Sequence, residues 1–118
     1  KTMEKVGLIQ TGGSDCPVET YEPLKGIYAA VTRQDMEGYP IEGFLPEERL
    51  SVYEALCMYT KNVPYATGQE SVLGTLEIGK FADLTVLEKN LFKIDKKEIK
   101  DVKVEQTYVA GNCVFMIK

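Results

Sequence analysis

Val6-Gly7-Leu8-Ile9-Gln10-Thr11-Gly12-Gly13-Ser14-Asp15-Cys16-Pro17-Val18-Glu19 is the stretch whose reading decides the fold. An apolar run feeds a glycine turn, a carboxylate and a proline follow, and Pro23 then suits the first position of a helix. The apolar continuity of residues 6–11 predicts a short buried strand of the parallel-sheet kind, because a half-solvated strand would alternate. Leu24, Ile27, Tyr28 and Val31 recur at i, i+3, i+4 and i+7, drawing one apolar stripe on a helix that reaches about Arg33. Strand, turn and helix make half of a βαβ unit. Asp15 lies at the strand's C-terminal end, where α/β folds gather ligands and metals. It offers two oxygens to a metal or a proton, while Asp in a glycine-rich turn is more often a turn-former or helix cap; the residues alone leave both roles open. A parallel strand needs parallel neighbours, and none is encoded nearby.

Downstream, Gly38, Pro40, Gly43 and Pro46 predict a surface loop over residues 34–49. Ser51 opens a second helix with Glu54 three residues on, the spacing of a capping box, and Pro64 ends or kinks it. Val52, Ala55, Leu56, Tyr59 and Val63 line its core face. From Gly68 the character changes. Ala82–Leu87, Val102–Val109 and Cys113–Ile117 read as strands of a small antiparallel unit, with Ala110-Gly111-Asn112 as a tight hairpin connection.

Composition narrows the function classes. The net charge is -4, and the basic residues between Lys93 and Lys103 alternate with Asp95, Glu98 and Asp101, so that run reads as a solvated surface. No nucleic-acid partner is expected, since phosphate contacts need clustered Lys and Arg. No apolar run approaches the roughly 18–20 residues that cross a bilayer, so no membrane partner is expected either. The three cysteines are widely spaced and form no CxxC, which suggests neither disulfides nor a thiolate metal site and fits a cytoplasmic compartment. The chain has no histidine, which removes imidazole ligands and bases from its own repertoire. It also begins at Lys1, and together with the orphan strand this reads as a chain with sequence missing upstream.

Several stretches taken together resemble one family. GSDCPVE, EPLKGIYAAVTR, LSVYEALCMYTKN with YATGQE, LGTLEIGKFADLTVLEKN and KVEQTYVAGNCVF are similar to the C-terminal end of metal-dependent amidohydrolases, most of all the amidohydrolase 3 group. The resemblance implies a mixed α/β fold: the last strand–helix unit of a (β/α)8 barrel in residues 1–67, and the C-terminal strands of a small β-sandwich domain in residues 68–118. It also implies that Asp15 is both catalytic and metal-binding, as a ligand or as the acceptor of a proton from metal-bound water. The expected chemistry is hydrolysis of a non-peptide C–N bond in a small-molecule amide or cyclic amide.

The family's His-x-His pair and its other histidines have no counterpart here. A catalytic zinc usually takes three protein ligands plus water, so the expectation is a divalent ion, zinc by analogy, in the longer protein and none bound to this piece. The piece is accordingly expected to be inactive alone and to self-associate through faces left without partners. The competing reading is a stand-alone structural or binding module in which Asp15 is only a turn residue.

Other residues in the stretch have simpler readings. Glu19 reads as a turn or capping residue beside a second, orienting possibility. Ser14 stands equally as a turn cap or a neighbour of the metal site. Cys16 has no imidazole to activate it as a nucleophile. Arg33 reads as a helix-dipole partner and Lys80 as a solvated charge.

Overall fold

Pro23 opens the principal helix, α2 (Pro23–Thr32), in the computed structural model, which describes all 118 residues. Its preset φ and missing N–H suit the first turn, where the N–H would have no intrahelical partner. The remaining helices are α1 (Thr2–Lys5), α3 (Val52–Tyr59) and α4 (Asn62–Thr67), with 3₁₀ segments at Pro46–Glu48 and Lys96–Asp101. Three strands, β1 (Leu84–Leu87), β2 (Val104–Val109) and β3 (Asn112–Met116), form one antiparallel sheet in the order β1-β2-β3. No helix is long and apolar enough to cross a membrane.

The apolar stripe of α2 organises the core. Ile27, Tyr28 and Val31 are buried in one cluster with Leu50, Ala55, Leu91, Ile99 and Val102. The cluster therefore joins residues from both sides of position 68. Tyr28, 1% exposed, donates its hydroxyl to the Asp35 carbonyl at 2.9 Å, and the Lys100 ammonium stands 5.1 Å from its ring centroid. Ile99 corrects the reading of the basic run as a solvated surface. It is fully buried on the 3₁₀ segment, where Lys96, Lys97, Glu98 and Asp101 are exposed while Lys100 turns in to the Tyr28 ring and the Met36 carbonyl. A lone isoleucine among lysines carries no periodic signal, and only the contact with α2 reveals it.

Residues 6–11 are the main departure from expectation: they form no strand. Val6 and Gly7 turn back onto α1, Leu8 and Ile9 are exposed, and the residues that follow have no sheet partner. A strand exists only through ladder hydrogen bonds to a neighbour, and nothing in the chain supplies a parallel one. The second helix is also divided. Ser51 and Glu54 make the expected reciprocal cap, Ser51 N–H to Glu54 Oε2 at 2.7 Å and Glu54 N–H to Ser51 Oγ at 3.2 Å. The helix then stops at Tyr59, and Pro64 falls in the first turn of α4 instead of ending a continuous helix. Proline is tolerated there, whereas deeper in a helix its ring would strike the carbonyl four residues back.

The β2–β3 hairpin turns on Ala110 and Gly111, both at positive φ, between the paired residues Val109 and Asn112. The Asp83 carboxylate accepts from the Ala110 N–H at 2.7 Å and the Ala82 carbonyl from the Gly111 N–H at 3.0 Å, tying the turn to the residues before β1. Every residue of β3 is exposed, including Val114, Phe115 and Met116. The accessible surface is 8196 Å², against about 6,400 Å² for a compact monomer of this mass. Much of the apolar sheet is thus uncovered.

Two consequences are measurable. Ile99→Ala removes a side chain at the junction of the two halves and should lower the unfolding free energy by about 2–5 kcal/mol in urea titrations. The Lys1 ammonium and the Ser51 N–H hold the Glu54 carboxyl down at about 2, below its ordinary 4.5. A depressed carboxyl stabilises the fold above its unfolded-state pKa and ceases to do so as pH falls through the folded value. Melting temperature should therefore drop between pH 4.5 and 2, and Glu54→Gln should flatten the drop.

Candidate functional site

Asp15 occupies a tight turn built from its own neighbours. The Ser14 carbonyl accepts from the Glu19 N–H at 3.1 Å, and the Asp15 carbonyl accepts from the Val18 N–H at 2.9 Å. Asp15 itself lies in the left-handed region at φ 48°, a conformation that Asp tolerates better than most residues. Its side chain is exposed and makes no hydrogen bond within the chain. Ser14 contributes through its carbonyl, Glu19 is exposed, and Cys16 carries a free, exposed thiol.

The turn is docked to the helices by the segment leading into it. The Gly12 N–H donates to the Met58 carbonyl at 2.8 Å, and the Asn62 side-chain amide donates to the Gln10 carbonyl at 2.8 Å. Tyr59 lies against the same segment. A Cβ on Gly12 would come within 2.5 Å of its ring, and one on Gly26 would collide with its hydroxyl. Both glycines are needed for close approach, and the partial burial that results pushes the Tyr59 phenol above its ordinary range. Apolar periodicity puts Tyr59 on a generic core face and singles out nothing at Asn62; the one sequence signal is Pro64, which marks a break beside them.

An open cleft of about 710 Å³ lies between this turn and α2. Gly13, Ser14 and Glu19 line one side, Lys25, Gly26 and Ala29 the other, and Asp35, Glu37 and Tyr59 complete it. Glu22 at its rim is paired with Lys25 at 2.8 Å, which lowers the Glu22 carboxyl from its ordinary value. Two residues read as simple charges are latches instead. Arg33 sits in the left-handed position ending α2 and donates to the Phe44 carbonyl at 2.9 Å with its guanidinium over the Phe44 ring. Lys80 is largely covered and donates to Thr75 Oγ1 at 2.7 Å.

The donor set within these residues does not make a metal site. No three His, Cys, Asp or Glu side chains converge, and Asp15 is a single carboxylate turned to solvent. What the arrangement supplies is an exposed, unpaired Asp15 carboxylate on an anchored turn whose Ser14 and Glu19 line a cleft.

These features define a mixed α/β chain with a docked carboxylate turn, and comparison with known proteins places it. The Amidohydrolase family model matches residues 1–115. The chain belongs to that family. It is 37% identical over 111 residues to the N-substituted formamide deformylase of Arthrobacter pascens, covering 94% of this chain and 20% of that protein. It is 33% identical over 115 residues to YtcJ of Bacillus subtilis (strain 168), covering 98% of this chain and 22% of YtcJ. The crystal structure of an amidohydrolase from Thermotoga maritima MSB8 superposes with a TM-score of 0.72 at 23% identity, over 98% of this chain and 25% of that one, and so shares the fold. The chain spans about a fifth of the length of these two relatives.

Because Tyr59 fills the space over Gly26, Gly26→Val should force the ring aside and destabilise the chain by about 1–3 kcal/mol in denaturant titrations. The Tyr59 phenol should then titrate nearer its ordinary value, read by ultraviolet absorbance.

Proposed function

We propose that this chain is the C-terminal portion of a longer hydrolase that cleaves non-peptide C–N bonds in small-molecule amides or cyclic amides. Residues 1–67 would pack as the last part of a (β/α)8 barrel, and residues 68–118 would supply strands to a small β-sandwich domain. The uncovered faces of β3 and of residues 6–11 support that placement, because both expose apolar side chains that a larger fold would bury. The isolated chain should self-associate through the same faces.

The observation that carries the functional reading is the Asp15 carboxylate, exposed and unpaired within the stretch that matches the family. In the longer protein it would serve as a metal ligand or proton acceptor, beside donors supplied from outside these 118 residues. Metal dependence, with zinc as the expected ion, and inactivity of the piece alone both belong to this reading. The name of the Arthrobacter pascens relative makes an N-substituted formamide a sensible first probe.

The test is formate release from N-benzylformamide, and ring opening to a free carboxylate in a panel of cyclic amides, by the full-length protein, its Asp15→Asn variant and the isolated chain. Full-length protein should turn over a member of the panel. Asp15→Asn should lower kcat/KM by about 10²–10⁴, the range for losing a positioned acid–base group. Turnover by the isolated chain, or an Asp15→Asn variant with wild-type rates, would overturn the reading.

A further inference from the structure

The break between α3 and α4 leaves two groups without helical employment. In an uninterrupted helix the Met58 carbonyl would accept from the Asn62 N–H, four residues on. Here α3 ends at Tyr59, α4 begins at Asn62, and the Met58 carbonyl accepts from the Gly12 N–H instead. The Asn62 side chain, half-buried at the start of α4, donates to the Gln10 carbonyl, 52 residues away in sequence. Gln10 and Gly12 stand two residues apart, so the two bonds hold the segment on either side of Thr11. The Tyr59 ring lies against Gly12.

We infer that Asn62 is a positioning residue for Asp15: by holding the Gln10 carbonyl against the start of α4, it sets where the turn three residues beyond Gly12 presents its carboxylate. This rests on the proposed role of Asp15. The segment has no sheet partner within the chain, and these are its only hydrogen bonds to α3 and α4; the Leu8 N–H and the Gln10 side chain bond back to Met3 of α1. A carboxylate that must meet reacting atoms loses effectiveness when displaced by as little as about 1 Å. Pro64 belongs to the same device, since its presence in the first turn of α4 goes with the break that exposes the Met58 carbonyl.

The experiment is hydrogen exchange read by mass spectrometry on the full-length protein, wild type against Asn62→Ala, together with kcat and KM on N-benzylformamide or whichever cyclic amide the wild type hydrolyses. Loss of one ordinary hydrogen bond should speed exchange in the peptide covering residues 8–16 by about tenfold, with α2 and the β1–β3 sheet unchanged. kcat should fall while KM stays constant. Unchanged exchange at residues 8–16 would overturn the inference, and so would a uniform rise that includes α2, which marks a merely structural residue. Should Asn62→Ala fail to fold, Asn62→Asp keeps the side-chain volume and suits a helix N-terminus while replacing the donor with an acceptor. Asp15→Asn with wild-type turnover would sink the role of Asp15 alone, leaving the exchange result to decide what Asn62 holds.

Discussion

Burial of the Ile27–Tyr28–Val31 stripe is the constraint on which the remaining structure depends. Isolated helices as short as α2 are marginal in water, so α2 persists because its apolar face is covered. The cover comes from Leu50 and Ala55 and, across the chain, from Leu91, Ile99 and Val102. Each fully buried side chain of this type contributes roughly 1.5–3 kcal/mol. Tyr28 adds a polar lock, since its hydroxyl is satisfied by the Asp35 carbonyl and thereby fixes the start of the loop that follows α2.

From that core the structure extends outward in steps of decreasing burial. The 34–49 loop is secured by buried Gln34, whose amide donates to the carbonyls of Gly38, Pro40 and Ile41, and by the Arg33 and Arg49 side chains bonded to loop and helix carbonyls. Tyr59 and the α3–α4 break come next and dock the segment that ends in the Asp15 turn. The β sheet has β1 and β2 half-buried and β3 exposed throughout. Its hydrogen bonds join only its own three strands, and its outer strand offers apolar residues on an open edge. An open apolar edge invites pairing with another chain or segment, which agrees with a chain spanning about a fifth of its relatives.

Much of this architecture is legible in the residues. Pro23 with the four-residue stripe announces α2, the Ser51–Glu54 spacing announces the cap, and three β-rich runs with a glycine between the last two announce the hairpin. All are local signals, decided within a turn or two of the backbone. The candidate site is legible to the extent of Asp15 and its turn. Its support is not. Asn62 and Gln10 meet across 52 residues, and the close approach of Tyr59 to Gly12 and Gly26 follows from the relative placement of three segments. The unformed strand at residues 6–11 illustrates the same limit from the other side. Its apolar run expresses a capacity for pairing, and a ladder cannot form without a partner.

The sequence by itself determined the helix starts, the cap, the hairpin, the family resemblance and the single candidate carboxylate, because propensity, capping and turn chemistry act over a few residues. Only the tertiary structure decided that Ile99 in a lysine-rich run completes the core and that the second helix breaks ahead of Pro64. It alone decided that the freed Met58 carbonyl and the Asn62 amide take hold of the segment before Asp15. Those outcomes depend on which surfaces exclude water together and which backbone groups are left to find partners, and both are properties of the packed chain.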